Sequence, residues 1–269
     1  MYKIIACDLD ETLLTSYSRK VSKKNIEAIH KARELGVKFV PVTGRGYRSI
    51  QGTLTELGLV DLADEYVISF NGGAITENKN NRLIHFDGIS YDLATQLFNR
   101  GLNYDVCIHV YTKDVVYVYK LNENEKQYLN GRMEIEEFFT PNIDFLKGQE
   151  IVKVLYVNTN QDYLNQIEND LKGITGNVDV SYSSNRYIEF NHKGVTKGQG
   201  LLKLADKLGI NREDTIAIGD NFNDLSMIQD AGLGIGVANC VEGIKKYCDY
   251  ICHSTCDEDA IAEVINKFI

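Results

Sequence analysis

The sequence is poor in several features that mark particular protein classes. It has six cysteines and two prolines in 269 residues. Six cysteines are few for a chain of this length, so a disulfide framework of the kind found in small secreted domains is not expected. No apolar run approaches the roughly 18 residues that a membrane-spanning helix needs. We therefore expect neither a disulfide scaffold nor a membrane-spanning helix.

The chain also lacks a basic block, and we expect no leader segment. Its 29 Lys and Arg residues are outnumbered by 38 Asp and Glu residues, for a formal net charge of -9. The basic residues are scattered, which argues against nucleic acid or an anionic membrane as the main partner. The first residues, MYKIIACDLD, do not resemble a signal peptide, so we expect a cytoplasmic protein. Any anionic substrate must be attracted by local charge, and nothing in the sequence indicates an oligomeric state.

The run CDYICHSTC holds half of the six cysteines and leaves one alternative open. It places Cys248, Cys252, His253 and Cys256 close together in the sequence. The spacing lacks the C-x-x-C pairs that are usual in zinc sites, so plain thiols are favoured over a metal site.

The first part of the chain alternates between strand and helix patterns. Residues 3 to 7 form an apolar run typical of a strand buried on both faces. The segment SKKNIEAIHKARELG follows with helical spacing, with Ser22 at its start and Gly36 at its end. VKFVPV then indicates a strand, GYRSIQGTLTELG a helix and EYVISF another strand. This βαβαβ order predicts a parallel sheet covered by helices, although Pro41 removes a hydrogen-bond donor from a strand that should be interior.

The last part of the chain repeats this pattern, whereas the middle does not. Helices are predicted near 196 to 208, near 223 to 230 and from about 258 to 268, with strands at TIAIGD, GLGIGV and YICHS between them. In the middle, runs such as YDVCIHVYT and DVVYVYK alternate residue by residue in the manner of β-strands. This texture is typical of an α+β domain. The sequence therefore predicts a discontinuous α/β domain, residues 1-81 and 191-269, with an α+β domain inserted at 82-190.

Polar motifs follow four of the predicted core strands. They are DLDET after the first strand, TGR after the second, NGG after the third and GDNFND after TIAI, while GVTKG adds a lysine at the start of a helix. Ligands of parallel α/β sheets bind beyond the carboxyl ends of the strands. We therefore expect the acids of the first and last motifs to lie near each other. They are Asp8, Asp10, Asp220 and Asp224.

Several carboxylates in one place repel each other unless a cation neutralises them. Magnesium fits these loops because it prefers hard oxygen ligands and often bridges to a substrate phosphate. Zinc or copper would require the His or Cys ligands that these loops lack. The sequence therefore predicts Mg²⁺ as the cofactor.

Taken together and in this order, the motifs resemble those of the haloacid dehalogenase-like (HAD) superfamily. DLDET matches its DxDxT motif, VTGR its strand-end threonine, GVTKG its lysine motif and GDNFND its acidic motif. The position of the inserted domain resembles the type C2 cap of the Cof-type phosphatase branch, and SFNGG and GVTKGQGL are similar to that branch too. The resemblance implies a Rossmann-like doubly wound parallel sheet as the core, and a cap that determines substrate specificity.

The resemblance also implies roles for individual residues. Asp8 is expected to be the nucleophile that forms an aspartyl-phosphate, Asp10 the general acid and base, and Lys197 the catalytic cation. The implied phosphate-binding residues are Leu9, Thr12, Thr43, Gly44, Lys197 and Asn223. The implied metal ligands are Asp8, Asp10 (through its backbone carbonyl), Asp220 and Asp224. Arg45 and Asn71 are candidates for substrate contact, although an arginine after a tight turn can equally pair with a neighbouring acid.

These expectations combine into one function and two alternatives. The predicted protein is a magnesium-dependent phosphatase of small phosphorylated metabolites, with sugar phosphates as the expected substrates. One alternative is a phosphomutase, which uses the same aspartyl-phosphate but returns the group to the substrate. The other is a non-catalytic module that senses a phosphorylated metabolite, although binding alone does not require Asp8.

Overall fold

The computed structural model describes residues 1–269 and divides them into two compact units. One unit, the core, consists of Met1–Phe86 and Thr196–Ile269, and the other, the inserted unit, of Asp87–Val195. Both junctions lie five residues later than predicted. The reason is that a strand through Phe86 still pairs within the core sheet, and a strand through His192 still pairs within the inserted unit. None of the helices combines the length with the apolar character that a membrane span requires.

The core contains eight strands and six α-helices. Its strands are β1 (Ile4–Asp8), β2 (Lys38–Val42), β3 (Tyr66–Ser69), β4 (Ala74–Glu77), β5 (Arg82–Phe86), β12 (Thr215–Gly219), β13 (Leu233–Gly236) and β14 (Tyr250–Ile251). Its helices are α1 (Lys23–Glu34), α2 (Gln51–Glu56), α6 (Lys197–Lys207), α7 (Leu225–Asp230), α8 (Glu242–Lys245) and α9 (Ala260–Phe268). Strands and helices are numbered in chain order through both units, so β6 to β11 and α3 to α5 belong to the inserted unit.

All eight core strands form one sheet in the order β14-β13-β12-β1-β2-β3-β4-β5. The strands from β14 to β3 are parallel to each other, and β3, β4 and β5 pair antiparallel at one edge. Because β1 lies between β2 and β12, the two separated segments of the core are joined at its centre. The predicted α/β fold with a largely parallel sheet is confirmed.

The core sheet is buried on both faces, which explains its near-continuous apolar strands. Alternate residues of a strand point to opposite faces, and the two sets fall into different hydrophobic clusters. On one face Ile5, Cys7, Phe39, Val67, Ile216 and Ile218 pack with residues of α1 and α9. On the other, Ile4, Ala6, Val40, Val42, Ile68 and Ala217 pack with residues of α6 and α7. Helices on both faces make the core doubly wound.

Pro41 lies in an interior strand without breaking the sheet. On one side Pro41 pairs with Cys7 of β1. On the other side the pairing of β2 with β3 is one residue later, between Val42 and Ile68. The backbone donor that proline lacks therefore falls before that pairing begins.

Two predicted helices are shorter than expected. The segment GYRSIQGTLTELG forms a 3₁₀ turn at Tyr47–Ile50 and only then the six-residue α2. Gly52 and two threonines lower the helix propensity of this stretch. The closing helix begins at Ala260 rather than near 258, because Asp259 has a left-handed backbone with φ 69°.

The antiparallel hairpin of β4 and β5 was not predicted. It follows directly on the NGG motif, and its strands are four and five residues long. The hairpin extends the parallel sheet by two strands and lies next to the junction at Phe86.

The inserted unit is a second sheet with helices of its own. Its strands are β6 (Cys107–Thr112), β7 (Val116–Tyr119), β8 (Glu136–Phe138), β9 (Ile151–Val157), β10 (Val178–Ser183) and β11 (Tyr187–His192). Its helices are α3 (Tyr91–Gly101), α4 (Glu123–Leu129) and α5 (Gln161–Leu171). The sheet order is β10-β11-β9-β6-β7-β8, and only β7 and β8 are parallel. This is the α+β texture that the sequence predicted.

One face of the inserted sheet is apolar and the other carries polar residues. Ile108, Val154, Tyr156 and Phe190 belong to the apolar cluster that includes residues of α3 and α5. Lys153 and Glu189 precede Val154 and Phe190 in their strands and so point to the other face, where Lys153 Nζ and Glu189 Oε2 form a buried ion pair at 2.5 Å.

Close packing around two glycines fixes the start of helix α6. A Cβ atom on Gly72 would lie 2.1 Å from the carbonyl oxygen of Thr196, and one on Gly200 would lie 2.9 Å from the Cα of Gly72. Thr196 is the N-cap of α6, and its side chain accepts a hydrogen bond from the amide of Gln199. The absence of two side chains therefore lets the loop after β3 touch the first turn of α6, where Lys197 lies.

We expect Gly72→Ala to destabilise the protein by about 3 kcal/mol or more, because it combines a backbone penalty with a clash. Gly72 has φ 102°, which L-residues rarely adopt, and its Cβ would meet backbone rather than a movable side chain. Gly36→Ala is the matched control. Gly36 also has a positive φ, 84°, but nothing lies within 4 Å of its Cβ position. Urea unfolding should show a loss of about 1 kcal/mol for the control, and equal losses for both variants would contradict the proposed close approach.

Candidate active site

The four predicted motifs follow four adjacent strands of the core sheet. The order β12-β1-β2-β3 brings together the carboxyl ends after which Asp220, Thr43 and Asn71 lie, and Asp8 is itself the last residue of β1. More than two hundred residues separate Asp8 from Asp220 in the chain. Parallel pairing of β1 with β12 nevertheless makes their strand ends neighbours.

Three of the four predicted acids form a compact cluster. Asp8, Asp220 and Asp224 are all buried, and one carboxylate oxygen of each lies within 4.8 Å of the others. Asp10 supplies no side-chain oxygen to this group, which leaves only its backbone carbonyl for the metal role implied by the resemblance. No other group of three or more His, Cys, Asp or Glu side chains in the chain has such a spacing.

Lys197 connects two of these acids. Its Nζ lies 2.5 Å from Asp8 Oδ1 and 2.6 Å from Asp224 Oδ1, and its side chain is completely buried. Lys197 is the first residue of α6, whereas Asp8 ends a strand and Asp224 lies in the loop after β12. The lysine therefore joins three separate segments of the chain through charge-assisted hydrogen bonds.

Asp224 also organises its own loop. Its Oδ2 accepts hydrogen bonds of 3.0 Å from the backbone amides of Asp220 and Asn221, while Oδ1 receives Lys197. A Cβ on Gly219 would lie 2.4 Å from the Cβ of Asp224, so only glycine fits at that position. The glycine in GDNFND is thus required by the packing of the buried aspartate.

Thr12 contacts the third acid of the cluster, Asp220. Its buried hydroxyl donates a 2.8 Å hydrogen bond to Asp220 Oδ1. The loop after β1 and the loop after β12 are therefore held together by a side-chain contact across 208 positions of sequence.

The electrostatics of the cluster show an excess of negative charge. Burial raises the pKa of Asp8 well above its ordinary value, Lys197 partly offsets this, and Asp224 and Asp220 raise it further. Burial and the charge of Asp224 raise the pKa of Asp220 to about 7. Burial alone would lower the pKa of Lys197, but Asp224 and Asp8 outweigh it and raise that pKa. The single positive charge of Lys197 therefore does not balance the negative charge of three carboxylates.

A hard divalent cation fits this donor set. The cluster offers carboxylate oxygens only, without nitrogen or sulfur ligands, and oxygen-only sites are the preference of Mg²⁺. Two positive charges would also offset the repulsion that raises the pKa values of Asp8 and Asp220. Asp8 and Asp220 are therefore the residues that would hold the ion, with Asp224 beside them.

Asp10 lies outside the cluster and pairs with Arg45. Its side chain is half exposed, and one of its oxygens contacts Arg45 Nη2. Of the two roles that the sequence left open for Arg45, the structure shows an ion pair with a neighbouring acid. The exposure of Asp10 leaves its carboxyl group accessible to a substrate, which a general acid and base requires.

Thr43 and Gly44 form the first residues after β2. The Thr43 side chain is buried, and its hydroxyl accepts a 3.0 Å hydrogen bond from the Arg45 amide. Its own amide donates to the carbonyl of Ile68, which continues the pairing of β2 with β3. This tight turn is the part of the chain in which the resemblance places phosphate-binding donors.

The remaining predicted residues differ in exposure. The Leu9 side chain is fully buried, and the Leu9 carbonyl accepts hydrogen bonds from Leu13 and Leu14. Asn223 is exposed, whereas the neighbouring Asp224 is buried. An exposed Asn223 side chain is free to turn toward a bound ligand.

The alternative of a cysteine metal site is not supported. Cys248, Cys252, Cys256 and His253 do not form a group with metal-ligand spacing. Burial raises the pKa of Cys252 to about 12 and that of Cys248 to about 11. Thiols that stay protonated are poor metal ligands and poor nucleophiles.

Sequence reasoning did not identify the glycines that position these side chains. Gly219, Gly72 and Gly200 make room for Asp224 and for the first turn of α6. In the sequence these glycines lie within the motifs GDNFND, SFNGG and GVTKGQG. What each glycine touches becomes visible only when distant segments are brought together.

Comparison with known proteins adds independent information. A family model described as haloacid dehalogenase-like hydrolase matches residues 5–265. Phosphatase YwpJ of Bacillus subtilis is 27% identical over 298 residues, covering 99% of this chain and 100% of the relative. The 5-amino-6-(5-phospho-D-ribitylamino)uracil phosphatase YwtE of the same organism is 30% identical over 290 residues, covering 99% and 98%. A solved haloacid dehalogenase-like hydrolase from Bacteroides thetaiotaomicron has 29% identity and a TM-score of 0.86, covering 100% of both chains.

Proposed function

The chain belongs to the haloacid dehalogenase-like hydrolases, and on that premise we propose that it is a magnesium-dependent phosphatase of small phosphorylated metabolites. Relatives that align along the whole chain are phosphatases, so the general activity is that of a phosphoric monoester hydrolase. The substrate class, the metal and the intermediate are our proposal. The observation that carries it is the cluster of Asp8 with Lys197, Asp220 and Asp224 at the end of the central strand.

Asp8 is the proposed nucleophile. A carboxylate oxygen of Asp8 forms a bond to phosphorus while the bond between phosphorus and the leaving oxygen breaks, which gives an aspartyl-phosphate. The carboxyl group must be ionised to attack. Because burial raises the pKa of Asp8, the positive charge of Lys197 at 2.5 Å supports the reactive form.

Asp10 is the proposed general acid and base. It gives a proton to the leaving oxygen in the first step, and in the second it takes a proton from the water that attacks the aspartyl-phosphate. Hydrolysis of that intermediate regenerates Asp8 and releases inorganic phosphate. Arg45 contacts the carboxylate of Asp10, so this cation would orient the group between the two proton transfers.

Phosphoryl transfer places charge on the oxygens around phosphorus, so positioning and electrostatics dominate its catalysis. Lys197, Thr43 and the amide of Gly44 are the proposed donors on the protein. Bound Mg²⁺ would neutralise part of the charge on the phosphoryl oxygens. Asp8 and Asp220 would hold the ion, and Asp224 would keep Lys197 and the Asp220 loop in place.

The proposed substrates are small organic phosphates, with sugar phosphates and related polyol phosphates preferred. The relative YwtE is named for a phosphorylated ribitylamino compound, which is a small polyhydroxylated phosphate ester. We propose that the inserted unit determines specificity, in line with its resemblance to a cap. A phosphomutase would use the same Asp8 chemistry, but the matching relatives are phosphatases.

We expect a chelator to abolish phosphate release and added Mg²⁺ to restore it, because the acidic cluster lacks sufficient positive charge without a metal. The measurement is phosphate release from a panel of sugar phosphates, polyol phosphates and a generic aryl phosphate. Each ester is tested with 5 mM Mg²⁺ in about twofold excess over EDTA, or with EDTA alone. Full activity in the chelator would contradict the magnesium proposal.

The same panel separates the phosphatase from the phosphomutase. A phosphatase releases inorganic phosphate in an amount equal to the ester consumed, whereas a mutase converts the ester to an isomer without net release. Turnover of the aryl phosphate alone would support the reaction class but contradict the proposed sugar and polyol substrates.

A further inference from the structure

An unusual backbone segment lies directly beside the candidate phosphate loop. Phe70, Asn71 and Gly72 follow β3 and have φ values of 53°, 56° and 102°. We call these three residues the left-handed turn. Consecutive positive φ values are uncommon, and for a bulky residue such as phenylalanine a positive φ is an outlier that costs free energy.

The usual local reason for asparagine in this conformation is absent at Asn71. Asparagine tolerates a left-handed backbone partly because its short side chain hydrogen-bonds nearby. The Oδ1 atom of Asn71 is buried and has no hydrogen-bond partner. An unsatisfied buried acceptor adds a second cost to the strained backbone. Local structure alone therefore does not account for the asparagine.

The contacts of the left-handed turn lead to the phosphate loop. The Asn71 amide donates to the Thr43 carbonyl at 2.9 Å, and the Phe70 amide donates to the Arg45 carbonyl at 3.1 Å. The Asn71 side chain packs against Gly44, since a Cβ on Gly44 would lie 3.2 Å from Oδ1 and 3.4 Å from Nδ2. The carboxamide is thus placed beside the backbone amide that we propose as a phosphate donor.

The other end of the left-handed turn leads to Lys197. Gly72 packs against Thr196 and Gly200 in the first turn of α6. Lys197 follows Thr196 directly and contacts Asp8. The turn is therefore wedged between the Thr43–Arg45 loop and the start of α6, with the Asn71 side chain facing the loop.

We propose that Asn71 is a phosphoryl-binding residue whose Nδ2 donates a hydrogen bond to a phosphoryl oxygen, beside the amide of Gly44. This inference rests on the proposed phosphatase function. Of the two polar atoms of the carboxamide, Oδ1 is the one buried without a partner, so Nδ2 is the atom left to meet a ligand. A phosphoryl group offers only acceptors at its charged oxygens. The strained turn is the means of bringing this donor to the loop.

The test is calorimetric binding of inorganic phosphate in the presence of Mg²⁺, combined with kinetics on an aryl phosphate. Asn71→Gly removes the carboxamide while keeping a residue that adopts positive φ without cost. Asn71→Asp keeps the size of the side chain but replaces the donor with a negative charge. The matched controls are Asn80→Gly and Asn80→Asp, because Asn80 has φ 54° and is exposed in a turn after β4.

We expect Asn71→Gly to bind phosphate about tenfold more weakly than the unmodified protein, and Asn71→Asp about a hundredfold more weakly. The KM for the aryl phosphate should rise in the same order. The melting temperature of Asn71→Gly should stay within about 3 °C of the unmodified protein, since glycine relieves the backbone strain. Both Asn80 variants should bind phosphate normally.

Three results would overturn this assignment. Phosphate affinity within twofold of normal in Asn71→Gly would show that the carboxamide does not touch the phosphoryl group. A raised KM for the ester with unchanged phosphate affinity would place Asn71 on the leaving group instead. In both cases continued hydrolysis of the ester leaves the phosphatase function intact. Failure of the unmodified protein to bind phosphate would overturn the function and the assignment together.

Discussion

Replacing Asp8 with asparagine is expected to lower kcat by at least about 10⁴-fold, because the amide that results cannot form the aspartyl-phosphate. The change is nearly isosteric, and the amide oxygen can still accept the hydrogen bond from Lys197. The effect should therefore be chemical rather than structural. The measurement is phosphate release from the best ester of the panel with Mg²⁺ present, over hours, so that a 10⁴-fold loss lies within range.

The stability of the same variant provides an internal check. The folded pKa of Asp8 is raised, so the folded state binds more protons than the unfolded state between about pH 4 and the folded pKa. The ionised Asp8 therefore lowers the free energy of unfolding as pH rises. Without metal at pH 7, Asp8→Asn should be at least as stable as the unmodified protein.

Asp10→Asn is the matched control for the nucleophile. Asp10 is half exposed and outside the acidic cluster, so its replacement should not alter stability in EDTA. Its loss of activity should be about 10²-fold to 10⁴-fold, the range of general acid and base catalysis. Turnover of Asp8→Asn above 1% of normal, in a folded protein, would remove Asp8 from the role of nucleophile.

Replacing Lys197 with methionine should affect both stability and activity. Methionine has a similar length but no charge, so Asp8 and Asp224 would lose their shared ammonium while remaining buried. Breaking a buried ion pair by removing one partner costs about 3–5 kcal/mol. Loss of the cation from the phosphoryl site should also lower kcat by about 10²-fold to 10³-fold. Urea unfolding and phosphate release measure the two effects.

The pH dependence of Lys197→Met follows from the same charges. Without the ammonium, the pKa of Asp8 should rise further, so protonation on acidification relieves the repulsion. The deficit in unfolding free energy should therefore be largest at pH 8 and shrink as pH falls toward about 5. Added Mg²⁺ should recover part of the deficit, because it binds only the folded site.

Lys207→Met is the control for this experiment. Lys207 lies in the last turn of the same helix and is exposed. Its replacement should change the unfolding free energy by no more than about 0.5 kcal/mol. If Lys197→Met were as stable and as active as Lys207→Met, the buried lysine would contribute neither to folding nor to catalysis.

Local sequence patterns were sufficient for the main elements of the core. The apolar run of β1, the helical spacing of α1 and the cap at Ser22 each depend on residues within one short segment. Patterns of this kind are local consequences of burial and hydrogen bonding. They failed where an element depended on its neighbours, as in the β4–β5 hairpin and the shortened α2.

The sequence by itself determined the kind of chemistry at this site. DLDET, TGR, GVTKG and GDNFND supply the proposed nucleophile, phosphate donors, cation and metal ligands, because side-chain chemistry is a property of each residue alone. Only the tertiary structure decided how they combine: Lys197 between Asp8 and Asp224, Asp10 with Arg45, and Asn71 against Gly44. The physical reason is that each of these contacts depends on strand register and on close packing at glycines, which arise only when segments far apart in the chain meet.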